Sequence, residues 1–323
     1  MGPMTNYPSG FAQGIAIRGL PITQSHPGKV FYVAKSGLPT LVNQKDGSDG
    51  NDGSFNAPFA TIQKAINSCT ASRGDIIFVK PGHTESVAAA GDIALSTAGV
   101  AIIGLGAGAL RPTITYTTAN TAAITVTAAN CSVSNLLLVA NFAAIGAAFT
   151  VTAKDFTCHN CEFRDTTSIL NFKRLFNASG ADNTADGLWV SDNVAPLLGA
   201  TASSVMVETA GDLARLAVKN NYYQNLCVTD LGKALNILTT KKCLGLVMTG
   251  NIFDTAGVSS ATGGTIIFTD TSTNTGYLAN NYVFNLDATT EILVTASSGL
   301  RFFENKSAGA ADKSGYLLPA ADS

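Results

Sequence analysis

The sequence predicts an all-β fold, specifically a single-stranded right-handed parallel β-helix with an N-terminal extended arm and a short capping α-helix. Three observations predict it. Many short β-prone runs follow Gly99 with hardly any helical period, Asn and Gly interrupt these runs, and one motif returns roughly every 24 to 30 residues. A period of this length is typical of a solenoid, whose coils bury their apolar faces only against neighbouring coils.

Residues 1–57 form the first predicted segment, an extended arm. Gly, Pro, Asn and Ser are dense here, and the stretch from Lys45 to Gly53 repeats turn-forming residues that oppose regular structure. Within the arm, Gly14 to Leu20 and Lys29 to Ala34 are β-prone and apolar. We expect these two patches to pair with another chain or to cover an end of the solenoid.

Residues 58–72 are predicted to form the capping helix. Asn56 is a suitable N-cap, Pro58 suits the first turn, and apolar residues then recur at helical spacing up to Cys69. Asp75 to Val79 follows as a short buried strand. The solenoid is expected to cover 73–310, and 311–323 to form a short tail.

The repeat is marked by an Asn at a coil corner, followed closely by an aromatic or apolar residue. The spacings between successive marks are 25, 61, 30, 30 and 24 residues, and the long interval fits two coils, with the missing corner between Trp189 and Asn193. Asn tolerates left-handed backbone geometry, and its amide can bond the same amide of the next coil. The alternative is a chance series of Asn-rich loops. The marks are Asn135, Asn160, Asn221, Asn251, Asn281 and Asn305.

Composition limits the possible partners and the location. A formal net charge of -2 with no cluster of Lys and Arg argues against nucleic acid and against anionic membranes as partners. The opening MGPMTNYPSG does not resemble a secretory signal, so we expect synthesis and folding in a cytoplasm, with the six cysteines as core thiols. Only 13% of residues are charged, which suggests that much of the surface faces other subunits.

The acidic residues nearest in sequence are candidates for carbohydrate chemistry. Asp155, Glu162 and Asp165 form the closest cluster, and Lys154 and Arg164 would supply positive charge. Linear spacing does not make these groups converge, so solvated charges around a corner are the simpler interpretation. Aromatic sugar platforms are scarce: Trp189 is the only Trp, and Tyr222 and Tyr223 are the further candidates.

Several other motifs favour a structural interpretation. The sequence Cys158-His159-Asn160-Cys161 has no second half that would complete a zinc site. Asp46, Asp49 and Asp52 have the spacing of a calcium loop without its distal Glu, and Gly104 to Gly108 lacks the Lys-Ser/Thr of a phosphate loop. His26 and His83 show no acidic or nucleophilic partner by sequence. We therefore assign no catalytic, cofactor-binding or metal-binding residue and no cofactor.

Two stretches resemble a known family. Gly74 to Glu85, and Gly99 to Gly106 followed by Arg111 to Ile114, are similar to the first coils of pectin-lyase-like β-helix proteins, in which an N-terminal helix caps the solenoid. This resemblance covers roughly residues 55 to 310 and implies the fold. In the arm, Asn6 to Phe11, Ile17 to Pro21 and His26 to Phe31 resemble small β-helix proteins of tailed-bacteriophage virions, of the capsid-decoration type. That resemblance implies trimeric, particle-bound proteins.

The sequence therefore predicts a structural virion protein without enzymatic activity. We expect a homotrimer on the capsid surface, held to the major capsid protein or other virion proteins by the arm. The main alternative is a tailspike-type receptor-binding protein or depolymerase acting on a host surface glycan. A free pectin-lyase-like enzyme is a third possibility.

Overall fold

The structure is a computed structural model that confirms the predicted right-handed parallel β-helix. Apart from two short strands near residue 20, the described part of the arm begins at Gly28, and the solenoid is described almost continuously from 45 to 198. The described residues are 15–17, 20–22, 28–36, 45–198, 204–226, 233–238, 241–255, 266–268, 274–285, 293–295, 299–309 and 315–316.

The elements are short strands, one α-helix and one 3-10 turn. The strands are β1 (Ile15–Ile17), β2 (Leu20–Ile22), β3 (Val30–Val33), β4 (Ile76–Val79), β5 (Thr84–Val87), β6 (Ala90–Leu95), β7 (Ala101–Gly104), β8 (Thr113–Tyr116), β9 (Ala123–Val126), β10 (Ser132–Ser134), β11 (Leu137–Ala140), β12 (Phe149–Val151), β13 (Thr157–His159), β14 (Glu162–Asp165), β15 (Arg174–Ala178), β16 (Trp189–Ser191), β17 (Val194–Leu197), β18 (Val205–Thr209), β19 (Leu213–Ala214), β20 (Ala217–Lys219), β21 (Tyr222–Asn225), β22 (Lys233–Ile237), β23 (Cys243–Leu244), β24 (Leu246–Thr249), β25 (Ile252–Thr255), β26 (Ile266–Phe268), β27 (Gly276–Ala279), β28 (Tyr282–Asn285), β29 (Leu293–Thr295), β30 (Leu300–Phe303), β31 (Lys306–Gly309) and β32 (Gly315–Tyr316). The helix α1 is Ile62–Ser68, and the 3-10 turn is Gly108–Leu110.

Three long sheets form the sides of the solenoid. Sheet 1 has ten strands, in the order β3-β4-β7-β10-β13-β16-β20-β24-β27-β30. Sheet 2 has the order β5-β8-β11-β14-β17-β21-β25-β28-β31, with β32 added antiparallel at its end, and sheet 3 has the order β6-β9-β12-β15-β18-β22-β26-β29. All other neighbours in these sheets are parallel, so each coil contributes one strand to each side.

Side chains alternate between the interior and the outer surface, as the two-residue period of a strand requires. In β11 and β14 the inward residues Leu138 and Phe163 are in register and fully buried. Aromatic rings fill several coils: Phe149 stacks on Phe176 with ring centroids 5.4 Å apart, and Phe163 meets Phe176 edge-on at 5.5 Å. Packing of these rings between coils supplies the apolar core.

The corner between sheets 1 and 2 carries the predicted Asn ladder. From Asn221 onward, Oδ1 of each ladder Asn accepts hydrogen bonds from the side-chain Nδ2 and the backbone N–H of the Asn one coil earlier, and Asn193 Oδ1 accepts the Cys161 backbone N–H. Each Nδ2 also donates to a backbone carbonyl, so these buried amides are paired within the protein. The ladder consists of Asn193, Asn221, Asn251, Asn281 and Asn305.

The structure corrects the first two marks of the repeat. Asn135 and Asn160 lie one position before the ladder, at the residue of the corner that has left-handed backbone, with φ of 54° and 53°. The ladder position of those coils is occupied by Leu136 and Cys161, both buried. At each corner, one residue therefore adopts the left-handed backbone, and the residue after it occupies the ladder position. The other corner residues with positive φ are Asp192, Asn220, Gly250, Asn280 and Glu304.

The helix α1 begins later than predicted. Thr61, not Asn56, is its N-cap, and its Oγ1 accepts a hydrogen bond from the Lys64 backbone N–H at 3.2 Å. The residues just before Thr61 are not helical: the Ala57 N–H donates to the Ser54 carbonyl, and Phe59 pairs with Val33 in a parallel bridge. Ile62, Ala65 and Ile66 of α1 are buried, so the helix does cover the apolar end.

Part of the arm belongs to the solenoid itself. Strand β3 pairs in parallel with β4 and forms the first strand of sheet 1, so the patch Lys29 to Ala34 covers an end in its own chain. The other patch contains β1 and the first residue of β2, and these two strands pair antiparallel with each other.

Asp75 fastens the arm and the helix to the first coil. Its buried carboxylate accepts hydrogen bonds from the backbone N–H groups of Lys29 and Thr70, both at 2.7 Å, and from the Arg73 guanidinium at 2.7 and 2.6 Å. Burial by itself would raise the pKa of Asp75, but the hydrogen bonds from Arg73, Thr70 and Lys29 outweigh it and lower the pKa to about 2.

Candidate functional site

The three carboxylates of the acidic cluster do not converge. Asp155 lies partly exposed at a corner and pairs with Arg215 at 3.0 Å. Glu162 lies on the outer face of sheet 2 between Arg111 at 3.1 Å and Arg164 at 2.5 Å. Asp165 is buried and accepts hydrogen bonds from the backbone N–H groups of Phe172 and Leu198, both at 3.0 Å. This cluster therefore provides no pair of carboxylates that face one another across a substrate.

The Cys158–Cys161 motif is divided between the inside and outside of the coil. Both thiols are buried, whereas His159 is exposed on sheet 1 and Asn160 occupies the left-handed corner. Burial raises the pKa of the Cys158 thiol well above its usual value. Among the residues that the structure describes, no group of three His, Cys, Asp or Glu side chains is arranged to hold a metal ion.

The acidic loop is tied to the start of α1. Asp49 accepts hydrogen bonds from the backbone N–H groups of Ala60 and Thr61 and from Thr61 Oγ1, at 2.9, 3.0 and 2.9 Å. Asp52 accepts a bond from the Ser54 N–H at 2.9 Å, which lowers its pKa. These carboxylates stabilise loop and helix backbone.

His83 differs from its sequence expectation, because it has an acidic partner. Its ring is 1% exposed, and Nε2 lies 3.1 Å from Glu85 Oε2, which also accepts the Ile62 N–H at 2.9 Å. The signal was available in the sequence, since residues two apart in an extended segment face the same side. His26 lies outside the described residues.

The glycine run forms a corner with very close packing. A Cβ on Gly104 would lie 2.1 Å from the Asn135 carbonyl oxygen, so only glycine fits in that coil. The Gly108–Leu110 turn follows it.

The three aromatic candidates for a sugar platform differ in their exposure to solvent. Tyr223 is fully buried, and its hydroxyl donates to the Ser204 carbonyl at 2.8 Å, while Tyr222 lies half-buried on the outer face of sheet 2. Trp189 lies on the outer face of sheet 1 with 41% of its surface exposed. Trp189 is therefore an aromatic ring that a ligand can reach.

Trp189 borders a shallow groove of about 420 Å³ on sheet 1, here called the Trp189 groove. Its floor is made of outward residues of successive coils, because Thr157, Trp189, Ala217 and Val247 are in parallel register on neighbouring strands. The groove residues are Asp155, Thr157, Gly187, Trp189, Arg215, Leu216, Ala217, Lys219, Gly245 and Val247.

Two cations flank the indole. Lys219 Nζ lies 4.1 Å from the centre of the Trp189 ring, a cation–π contact. Arg215 reaches over Gly187 to Asp155 two coils away, and both side chains of this ion pair are more than 40% exposed. The linear sequence does not reveal this group, because Arg215 and Lys219 belong to the coil after that of Trp189 and only the register of the repeat brings them to the indole.

A second polar group lies on the outer face of sheet 3. Glu208 is nearly buried, bonds the Arg174 guanidinium, and accepts a hydrogen bond from Asn236 Nδ2 at 2.9 Å. Its carboxylate is thus engaged by two neighbouring strands.

The described helix, α1, is too short to cross a membrane, and a search of the described chain finds no candidate spanning helix.

Comparison with known proteins gives likeness of fold alone. No family model matches the chain. No curated protein sequence matches it either. Among solved structures, the chain is similar to a rhamnogalacturonan lyase, with 16% identity, coverage of 87% of this chain and 74% of that one, and a TM-score of 0.37.

The GH136 lacto-N-biosidase from Eubacterium ramulus is also similar, in two crystal structures. The selenomethionine derivative has 10% identity and a TM-score of 0.28, and the native protein has 11% and 0.30; each covers 90% of this chain and 68% of that one.

The prediction that the chain has no enzymatic activity is corrected by these comparisons. The solved structures to which it is similar are a lyase and a glycosidase, so the exclusion of enzymes does not stand. At these identities the likeness concerns the fold, and it assigns no reaction to this chain. The chain has a parallel β-helix fold.

Proposed function

We propose that this chain is a structural protein of a tailed-bacteriophage particle, a trimer of β-helices that decorates the capsid surface and is held there by its N-terminal arm. The observation that carries the proposal is an apolar row on the outer face of sheet 2. Val194, Tyr222, Ile252 and Tyr282 follow one another in register on four neighbouring strands, β17, β21, β25 and β28.

This apolar row is suited to contact between copies of the chain. Val194, Ile252 and Tyr282 are 44%, 38% and 43% exposed, and Phe284 extends the row sideways at 41%. A contiguous strip of large apolar side chains on an outer face is typical of a protein–protein contact. A sheet that faces a symmetry axis brings the same row from each copy together, so apolar surface meets apolar surface.

Charges at the end of the row favour the same partner. The next position in register before Val194 is Glu162, and Arg111 and Arg164 of the same chain neutralise its carboxylate. At this end of the row, copies that meet along sheet 2 therefore bring no uncompensated carboxylate together, and Asp254, further along the same face, accepts a hydrogen bond from Gln224 Nε2 at 2.8 Å.

The resemblance of the arm to phage virion proteins supports the location on a particle. In this proposal the partners are other copies of the chain and the major capsid protein. The low content of charged residues agrees with a surface that is partly covered by other subunits.

Light scattering of the purified full chain tests self-association. The expected mass is three copies, and Ile252→Lys, which places a charge inside the row, should give a single copy. Thr150→Lys is the matched control, because Thr150 points outward from β12 of sheet 3 at intermediate burial. A wild-type monomer, or equal effects of both lysines, would contradict the sheet 2 contact.

Cryo-electron microscopy of the source particle tests the location. Density for this chain on the head surface, with the arm between capsid subunits, is expected. Density at the tail tip would favour the second candidate, a tailspike-type receptor-binding protein, for which the exposed Trp189 groove is the supporting observation. Absence of the chain from the particle would overturn both.

A further inference from the structure

We propose that Cys158 and Cys161 form a thiol pair that a peroxide converts into a disulfide at the corner between sheets 1 and 2. Cys161 is the thiol that attacks the peroxide, and Cys158 is the thiol that closes the disulfide. Two residues separate the cysteines, which is the spacing of a redox-active Cys-x-x-Cys motif. This modification site does not depend on the association of copies along sheet 2.

The corner brings the two thiols to one point inside the coil. Side chains three positions apart on a straight strand point to opposite faces, but the left-handed backbone of Asn160, with φ of 53°, turns the chain between them. Cys158 and Cys161 are therefore both inward, with 0% and 1% of their surfaces exposed. Oδ1 of Asn193 accepts the Cys161 backbone N–H at 2.9 Å and lies 3.9 Å from Cys158 Sγ. The Cys158 thiol hydrogen-bonds the Cys161 sulfur, so the two sulfurs are in contact.

Packing alone does not require sulfur at these two positions. The residue in register with Cys158 one coil earlier is Val133. The ladder position that Cys161 occupies holds Leu136 in that earlier coil, and both Val133 and Leu136 are buried. Apolar side chains thus fill the same two places in the neighbouring coil, and the thiols add a chemistry that the core does not need.

The surroundings of the Cys161 sulfur favour its thiolate. At the ladder position of this coil, the sulfur takes the place of an amide oxygen and accepts the backbone N–H of Leu136, one coil earlier. Burial by itself would raise the pKa of Cys161, but the hydrogen bonds from Cys158 and Leu136 and the charge of Arg111 outweigh it and lower the pKa. Burial raises the pKa of Cys158. The pair therefore has one thiol suited to attack and one that stays protonated.

The oxidant is a peroxide, and the reaction balances with it. The Cys161 thiolate attacks one peroxide oxygen, so that an S–O bond forms, the O–O bond breaks, and the departing hydroxide takes up the proton that the thiol lost. The Cys158 sulfur then attacks the sulfenic sulfur of Cys161. An S–S bond forms, the S–O bond breaks, and the leaving hydroxide takes the Cys158 proton. Two thiols and one hydrogen peroxide thus give one disulfide and two waters.

The pair lies directly beneath the surface, within reach of a small oxidant. His159 and Asn160, the two residues between the cysteines, are both exposed. Hydrogen peroxide is uncharged and little larger than water, so local opening of this corner suffices to admit it. A larger alkylating reagent needs a wider opening and should react more slowly with the native pair.

Peptide mapping tests the disulfide directly, because cleavage after Lys154 and Arg164 releases both cysteines in one peptide, residues 155–164. The reduced full chain is treated with hydrogen peroxide under native conditions, then unfolded, alkylated and digested. This peptide should lose both alkyl labels and weigh two hydrogen atoms less than its reduced form, and dithiothreitol should restore both labels. Cys243 should keep its label throughout. A peptide that keeps both labels, or equal loss of label at Cys243, would overturn the proposal.

Variants separate the roles of the two thiols. In Cys158→Ser the attacking thiol has no partner, so peroxide should leave a sulfenic acid at Cys161 that dimedone traps. In Cys161→Ser no dimedone adduct should form at Cys158 under the same exposure. Trapping at Cys158 instead would contradict the assigned roles.

Cys243→Ser is the matched control, because it removes another fully buried thiol. The disulfide in residues 155–164 should form in this variant as in the wild type, and its absence would contradict a reaction confined to Cys158 and Cys161. Circular dichroism establishes that each variant is folded. The labels counted on the wild-type chain do not depend on any variant.

Discussion

Nδ2 of Asn221 lies 3.0 Å from Oδ1 of Asn251, one coil further along the solenoid, and the same Oδ1 accepts the Asn221 backbone N–H at 2.9 Å. Asn251 in turn donates to the Val218 carbonyl and to Asn281 Oδ1, at 2.9 and 2.8 Å. A single buried amide therefore satisfies groups on both neighbouring coils.

Replacement of this amide should be costly. Asn251→Ala removes four buried hydrogen bonds and leaves the buried Asn221 backbone N–H without its acceptor, which should lower the free energy of unfolding by about 3 to 5 kcal/mol. Urea denaturation followed by circular dichroism measures it. Asn220→Gly is the control one residue before the ladder, at a corner with φ of 53°, and should change stability by less than about 1 kcal/mol.

Asp75 should make the fold sensitive to acid. Its pKa is about 2 in the folded protein against an ordinary value of 3.8, so its contribution is fully present above about pH 4 and is lost as the pH falls toward 2. The shift corresponds to about 2 kcal/mol. In Asp75→Asn this part of the pH dependence should be absent, so the stability difference from wild type shrinks between pH 5 and pH 2. A difference that stays constant would contradict the assignment.

Gly187 should matter for its backbone more than for the ion pair that passes over it. Its φ is 78°, and a Cβ there would lie 2.1 Å from Asp155 Oδ1, so Gly187→Ala should cost about 1 to 2 kcal/mol of folding stability in thermal or urea denaturation, through backbone strain and displacement of the exposed carboxylate. Asp155→Ala removes the exposed ion pair and should cost less than about 1 kcal/mol. Gly187→Asn should lose less folding stability than Gly187→Ala, because Asn tolerates this backbone conformation. A larger loss of folding stability in Asp155→Ala than in Gly187→Ala would contradict this prediction.

The buried thiols should resist alkylation. Burial raises the pKa of Cys243 to about 12, so the reactive thiolate is scarce at pH 8. In native protein treated with iodoacetamide at pH 8, peptide mapping by mass spectrometry should find Cys243 unmodified, and the same treatment in denaturant should modify it completely. Labelling of native Cys243 at the rate of a free thiol would contradict the packing.

Residue patterns predicted the solenoid well because its cause is local and repeated. The period and the ladder chemistry follow from Asn221, Asn251 and Asn281, which recur at 30-residue intervals, and the missing corner was correctly expected near Asn193. In the first coils the predicted ladder positions were wrong, because Asn135 and Asn160 occupy the left-handed corner position, one residue before the ladder. Only register distinguishes the two positions.

The helix start and the groove depend on contacts between distant residues. Phe59 pairs with Val33 in a parallel bridge and is therefore extended, so the helix begins only after its N-cap Thr61. The two paired residues are 26 positions apart in the sequence. The Trp189 groove likewise requires Lys219 and Arg215 from the following coil. No linear motif contains such a site, and it becomes visible once one coil is aligned on the next.

Within the ladder, each amide from Asn193 to Asn281 donates one hydrogen bond to the Asn that lies one coil nearer the carboxyl end of the chain. During synthesis from the amino end, a newly wound coil presents an Nδ2–H that has no acceptor until the next Asn arrives. In the ladder, this donor is paired by an Asn at the same corner of the next coil. Each coil from Asn193 to Asn281 therefore favours an Asn at the same corner of the coil that follows it.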